Sequence, residues 1–251
     1  MAKPILEAIL AHKRREVEEL TMPGRLPRKR RSFREAIAAP GIQIIAEIKR
    51  ASPSRGIICP DFNPEAIAKA YVEGGAAAIS ILTDQHFFGG SITHLQAVGQ
   101  RVPLPLLRKD FIIHRNQIEE SYLAGADAIL LIVAALTDGQ LRDFLNEAHD
   151  YGLDVLVEIA DGGQLERALK CGAQIIGVNN RDLQTFEVGL EKSLELLGQI
   201  PENCLKVSES GIHTRADVEL LEAAGADGLL IGTSLVSHPR PAGKLKELLG
   251  R

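Results

Sequence analysis

The sequence predicts an α/β chain whose eight strand–helix units close into a (β/α)8, or TIM, barrel with an amino-terminal helical extension. Three observations lead there. A Gly-Ala pair at Gly75-Ala76, Gly125-Ala126, Gly172-Ala173 and Gly225-Ala226 recurs at intervals of about 50 residues, each time between a helical pattern and a short apolar run. Four further apolar runs lie between these copies, so strands and helices alternate, and a helix after each strand returns the chain to pair in parallel. The 251 residues match eight such units in a ring. An open doubly wound sheet is the alternative, but a fourfold repeat suits a closed ring better than a sheet with edges. Residues 1–251 therefore read as a single barrel domain, with residues 1–40 as a helical extension packed on it.

Within the extension, Leu6, Ile9, Leu10, Val17 and Leu20 fall on one helical face, so residues 4–20 form an amphipathic helix acting as a lid or plug. Pro23, Gly24 and Pro27 break the chain, and the basic cluster Arg28 to Arg31 reads as a solvated face, with local anion attraction as the alternative. Ser32 and Glu35 make a capping box for a short helix that stops at Pro40. The first strand covers residues 43–49. The loop that follows, residues 50–62, is long for a connection and carries Ser52, Pro53, Ser54, Arg55 and Gly56, as loops that close over ligands do. Asn63-Pro64 is a cap and first-turn pair for a helix ending at Gly74-Gly75. The remaining strands are expected over 77–82, 104–109, 128–133, 153–158, 174–178, 205–209 and 228–231. Thr137 with Gln140, Asp161 and Thr214 cap helices between them.

Composition narrows the function. A net charge of -4 and a pI near 6.0 argue against nucleic acid and anionic membranes as partners and favour small molecules. Cys59, Cys171 and Cys204 are far apart, with no Cys-x-x-Cys spacing and no matching histidine pattern, so no metal site is expected and a reduced, cytoplasmic protein fits. Glu7, Glu16, Glu18 and Glu19 argue against a signal or transit peptide. The longest apolar candidates, such as Ala128 to Leu136, are about half of what a bilayer crossing needs.

The strand ends carry the chemistry. Side chains alternate along a strand, so Ile45, Glu47 and Lys49 share one face. The odd strands end in Glu47 and Lys49, in Lys109, in Glu158 and in Glu209, whereas the even strands end in apolar or small polar residues. A lone Glu-x-Lys reads as a salt bridge. Two lysines and three glutamates from alternate strands converge on one centre at the carboxyl end of the barrel, and burying them without a ligand is costly. Such a mixture suits proton transfer, with a lysine donating and a glutamate accepting; a Schiff base on Lys109 or Lys49 is the rival. Ser210-Gly211 and Gly232-Thr233-Ser234 follow the last two strands and place small residues where backbone amides can approach a phosphate. Phe87 and Phe88 read as packing residues, with Phe88 and Phe111 the candidates to wall an aromatic substrate. His86, His114 and His213 read as surface residues, and Asp110 and Asp182 as facing loops.

Five stretches in order carry a resemblance. Glu47-Ile-Lys49-Arg-Ala-Ser52-Pro53-Ser54, Leu-Arg-Lys109-Asp-Phe111-Ile, Glu158-Ile, Gly-Val-Asn179-Asn-Arg181-Asp-Leu183 and Ser-Glu209-Ser210-Gly211 together resemble the indole-3-glycerol phosphate synthase family over nearly the whole chain. The resemblance implies a (β/α)8 barrel of tryptophan biosynthesis that needs no cofactor. It closes 1-(2-carboxyphenylamino)-1-deoxyribulose 5-phosphate to indole-3-glycerol phosphate, losing carbon dioxide and water. It further implies Lys109 as general acid at the ketose carbonyl oxygen. Glu158 becomes the general base, or the stabiliser of the cationic ring intermediate in the dehydration. Lys49 pairs with a substrate carboxylate or phosphate and shares proton donation, and Glu47 and Glu209 orient the lysines and hydroxyls. Asn179 and Ser210 hold polar groups, Arg181 contacts the carboxylate, and Phe88, Phe111 and Leu183 complete the substrate contacts. Gly211, Gly232 and Thr233 match phosphate-binding positions, and Ser52 with the lid loop covers the site. Two departures touch none of the charged set: Gly89 stands where Asn is expected, and Cys59 lies in the lid loop where the family has a charged or polar residue. A cytoplasmic monomer is expected. A sugar-phosphate isomerase or Schiff-base aldolase on the same barrel, and a catalytically dead scaffold, are the competing readings.

Overall fold

The computed structural model describes residues 5–182 and 187–251. Eight parallel strands run β1 (Gln43–Ile48), β2 (Ala78–Leu82), β3 (Leu106–Lys109), β4 (Ala128–Ile132), β5 (Asp154–Ile159), β6 (Ile175–Asn179), β7 (Leu205–Glu209) and β8 (Gly228–Ile231). Each pairs with the next in chain order, and β8 pairs back with β1 through Gln43↔Gly228 to Ala46↔Ile231, so the sheet is a closed barrel and the doubly wound alternative is excluded. Every expected strand is present, its ends displaced by one or two residues at most. One element was not anticipated: inside the long loop after β1, Ala51–Ser52 pairs antiparallel with Gly56–Ile57.

The recurring Gly-Ala pair is the stop signal of every second helix. Gly75, Gly125, Gly172 and Gly225 have φ of 90°, 87°, 92° and 93°, a left-handed conformation that costs glycine nothing. The next residue's N–H then donates to a carbonyl five positions back, as from Ala76 to Tyr71 (3.0 Å) and from Ala126 to Ser121 (2.9 Å). The chain is thereby turned into the following strand, and the alanine is small enough to be buried beneath the helix.

Period-two alternation splits the core in two. Ile44, Ile48, Ile79, Ile81, Leu131 and Val157 pack between strands and helices, while Ile45, Leu107, Leu130, Leu156, Val207 and Leu230 fill the barrel. The extension closes both ends of the inner cluster. Helix α2 (Phe33–Ile37), capped by Ser32 Oγ accepting from Glu35 N at 3.0 Å, buries Phe33 and Ile37 at the amino ends of the strands. Helix α1 (Ile5–Glu18) lies over the carboxyl mouth, where Ile9 joins Phe111 in the inner cluster. A lid and a plug are thus both present.

Within the basic cluster Lys29 is exposed, as a solvated face requires, but Arg28 and Arg30 are not part of such a face. Arg28 Nη1 lies 2.7 Å from Asp127 Oδ2 and Nη2 donates to Leu104 O at 2.9 Å, while Arg30 donates to Tyr151 O (2.7 Å) and Ala126 O (2.9 Å). These guanidinium groups satisfy carbonyls and a buried carboxylate just before β3 to β5, tying the extension to the base of the barrel.

Candidate active site

Strand parity aims the charged ends inward. Glu47 follows Ile45, Lys109 follows Leu107, Glu158 follows Leu156 and Glu209 follows Val207, each two residues beyond an interior side chain. The four line one cavity of about 500 Å³ together with Lys49, Phe88, Phe111, Asn179, Arg181, Ser210, Gly211, Gly232 and Thr233. Ser52, in the short hairpin, lines an adjoining cavity of about 90 Å³ beneath Ile5, Leu6 and Ile9, with walls of Lys49, Phe88, Phe111, Arg181 and Thr233 in common with the first. Leu183 lies outside the described residues. His86, His114 and His213 are exposed, as expected, although His213 also reaches the cavity rim.

The charges are paired, Lys109 across strands and Lys49 with Glu47 at the end of β1. Lys109 Nζ sits 3.0 Å from Glu158 Oε2 and 3.1 Å from Glu209 Oε2, bridging β3 to β5 and β7. Lys49 Nζ lies 2.6 Å from Glu47 Oε1. Asn179 Nδ2 donates to Glu158 Oε1 at 3.1 Å, and its Oδ1 accepts from Arg181 N at 3.0 Å. The three carboxylates are buried and each lysine side chain is 14% exposed, and all five side chains line the cavity.

Electrostatics divides the roles. Burial opposes charge on Lys109, but Glu158, Glu209 and Glu47 outweigh it and hold its pKa above the usual lysine range. Burial likewise raises Glu47, yet Lys49 and Lys109 outweigh it and leave the carboxyl below its ordinary value. In Glu209 burial prevails over the pull of Lys109, with Glu158 adding repulsion, and its pKa is pushed up to about 7. At neutral pH Lys109 therefore keeps its proton, Glu47 is ionised, and Glu209 stands near its midpoint, a set able to give and take protons.

Two glycines make this packing possible. A Cβ on Gly177 of β6 would collide with Glu209 Oε1, and one on Gly232 would collide with Glu47 Oε1 and stand 3.1 Å from Lys49 Nζ. Gly232, expected only at the phosphate, thus also makes room for the Glu47–Lys49 pair. Gly177 escaped the sequence reading; its one signal was a glycine inside an apolar strand, which marks a close approach.

Asp110 does not face a loop. Its side chain is buried, with Oδ1 2.8 Å from Lys13 Nζ and Oδ2 accepting from Thr83 Oγ1 (2.6 Å) and Arg108 Nη2 (3.1 Å). Burial pushes its pKa up, but Lys13 and Arg108 overcome that and hold it well below the usual carboxylate range. Lys13, itself fully buried, also reaches Asp84 Oδ2 at 2.9 Å. Asp84 Oδ1 accepts from Phe87 N (2.8 Å) and Asp110 Oδ1 from Phe111 N (2.8 Å), so one ammonium braces both segments that present Phe88 and Phe111, whose rings lie 6.2 Å apart. The signal was a lysine on the apolar face of α1, four residues after Ile9. Among the described residues no group of three or more His, Cys, Asp or Glu is arranged to hold a metal ion.

A closed (β/α)8 barrel whose carboxyl rim gathers lysines and glutamates around one cavity, beside two glycine turns, defines a barrel enzyme of acid–base chemistry. Comparison with known proteins makes the class particular. The family model for indole-3-glycerol phosphate synthase matches residues 5–248. An indole-3-glycerol phosphate synthase of Pelodictyon phaeoclathratiforme is 51% identical over 247 residues, covering 93% of this chain and 96% of the relative. One from Geobacillus kaustophilus is 51% identical over 236 residues, covering 92% of each. The chain belongs to the indole-3-glycerol phosphate synthase family. Among solved structures, a 3-hexulose-6-phosphate synthase from Salmonella typhimurium superposes with a TM-score of 0.67 at 13% identity, covering 82% of this chain and 96% of that one, a likeness of fold alone.

Proposed function

We propose that the described cavity is where this chain converts 1-(2-carboxyphenylamino)-1-deoxyribulose 5-phosphate to indole-3-glycerol phosphate, carbon dioxide and water. Family membership makes the chain a decarboxylating carbon–carbon lyase of tryptophan biosynthesis acting on a phosphorylated small molecule. The observation that carries the assignment of roles is the Lys109 ammonium, held charged between Glu158 and Glu209 and facing the cavity.

In the first step the ring carbon bearing the carboxylate attacks the ketose carbonyl carbon, and Lys109 donates a proton to the carbonyl oxygen as it becomes a hydroxyl. Lys49 pairs with the substrate carboxylate, with Arg181 beside it, until carbon dioxide leaves and the ring electrons are restored. In the second step Lys49, sharing the proton donation, protonates the hydroxyl so that it departs as water. The developing cationic ring is stabilised by Glu158, which accepts the proton released from the ring-forming carbon as the indole forms. Asn179 fixes the Glu158 carboxylate from the opposite oxygen. Glu47 and Glu209 orient Lys49 and Lys109. Phe88 and Phe111 wall the aromatic ring, and Ser210, Gly211, Gly232 and Thr233 hold the phosphate at the other end of the cavity. Ser52 and the hairpin after β1 close over the substrate.

A monomer is proposed as the working unit. A cytoplasmic site of action is proposed from the acidic net charge and the three widely spaced cysteines. Incubation of the purified protein with the carboxyphenylamino-deoxyribulose phosphate, without added metal or cofactor, is expected to yield an indole chromophore and one equivalent of carbon dioxide. Absence of both products would refute the reading.

A further inference from the structure

Asn180 has no part in the chemistry described above, yet it is 1% exposed and every polar atom of its side chain is engaged. Its Nδ2 donates to Ser208 Oγ (3.0 Å) and to the backbone carbonyl of Ser210 (3.1 Å), while its Oδ1 accepts from Ser193 N (3.1 Å). Ser193 Oγ and Ser208 Oγ are 2.7 Å apart, which closes the network behind it. Its own N–H donates to Glu209 O at 2.9 Å. The network therefore spans the ends of β6 and β7 and the helix Glu191–Leu196.

What this anchor holds is unusual. Ser210 is the one non-glycine residue with positive φ among the described residues, at 69°, and Gly211 follows at 82°. A serine is not driven there by its own preference, so its surroundings must hold it. The carbonyl of Ser210, fixed by Asn180, is the atom that defines the peptide plane between Ser210 and Gly211. A Cβ on Gly211 would lie 2.9 Å from Val188 Cγ1 and 4.0 Å from Asn180 Cβ, so Asn180 also forms part of the wall behind the turn.

We propose that Asn180 is the positioning residue of the phosphate cradle: its amide fixes the left-handed turn at Ser210, and so the placement of the Ser210 hydroxyl and the Gly211 amide against the substrate's phosphoryl group. The proposal rests on the reading of Ser210 and Gly211 as phosphate-binding. A side chain that merely filled space would be replaceable by any group of equal volume; this one presents a donor to one carbonyl and an acceptor to one amide, and only the donor end reaches the cradle.

The test uses two variants of the whole chain. Asn180→Asp keeps the volume and the acceptor toward Ser193 N but sets an acceptor against Ser210 O, and Asn180→Ala removes both ends. Inorganic phosphate and anthranilate serve as competitive probes of the two halves of the cavity. In both variants the inhibition constant for inorganic phosphate and the KM for substrate are expected to rise about tenfold or more, the loss of one buried hydrogen bond. Turnover at saturation stays within about threefold and the anthranilate inhibition constant does not move, because the lysine and aromatic groups are untouched. Equal phosphate inhibition of Asn180→Asp and the parent chain overturns the proposal. So does a crystal structure of Asn180→Asp in which Ser210 keeps its positive φ and Gly211 its place. If inorganic phosphate does not compete with substrate in the parent chain, the cradle reading itself fails, and the proposal with it.

Discussion

Lys13 Nζ and Asp110 Oδ1 are joined at 2.8 Å with both side chains buried, so the amino-terminal helix is bonded to the residue that directly follows Lys109. Removing the ammonium leaves Asp110 and Asp84 facing one another without it in a low-dielectric site. Breaking a buried ion pair from one side costs about 3–5 kcal/mol. Lys13→Met is expected to lose stability on that scale in urea unfolding, and a loss below about 1 kcal/mol would show that the network relaxes without it.

The same pair sets a pH window. Asp110 has its folded pKa depressed, so its contribution is complete above its unfolded value of 3.8 and is lost as the pH falls below that toward the folded value. Lys13 has its folded pKa raised, so its contribution is complete below 10.5 and is lost as the pH rises beyond it. Unfolding free energy is expected to fall off outside these limits, and Lys13→Met should flatten the alkaline limb. An alkaline limb of unchanged steepness in that variant would remove Lys13 as its source.

Gly177 tests the packing of the charged cluster without changing any charge. A methyl group there must displace Glu209 from Lys109. Misplacement of a catalytic group by about 1 Å is enough for a loss of roughly 100-fold. Gly177→Ala should therefore lower turnover by about one to two orders of magnitude in a protein that still unfolds cooperatively. Normal turnover would mean that the Glu209–Lys109 contact is dispensable.

Glu209 is the group whose ionisation falls within the working range. With its pKa pushed up to about 7, its carboxylate form supports Lys109 only above that pH, so kcat/KM is expected to rise through about pH 7. Stability moves the other way. The folded state binds the Glu209 proton more tightly than the unfolded chain, so stability is lost as the pH rises from 4.5 through about 7. Glu209→Gln should abolish the kinetic limb and be more stable than the parent at pH 8. A variant that is less stable there would contradict the assignment.

Which features were legible in the sequence follows from where their causes lie. The barrel was legible because its signals are local and repeated: a left-handed glycine must end each marked helix, and alternation sets which side chains face inward. The five charged residues were legible because strand parity and the carboxyl-end rule place them without knowledge of a partner. Arg28, Asp110, Lys13, Gly177 and Asn180 were misread or missed because their meaning depends on a carbonyl, carboxylate or side chain far away in sequence. Arg28 looks like any surface arginine until the Leu104 carbonyl and Asp127 meet it, and Asn180 is overshadowed by the inward-facing Asn179 beside it.

In the proposed mechanism Lys109 is the proton donor, and its substitution is the direct test. Lys109→Met keeps much of the volume and removes the proton donor, and a positioned general acid contributes a factor of about 10² to 10⁴. Single-turnover formation of the indole chromophore, followed by fluorescence at saturating substrate, is expected to slow by that factor while substrate binding persists. Indole formation in Lys109→Met at a rate within about fivefold of the parent would contradict the assignment of the acid to this strand end.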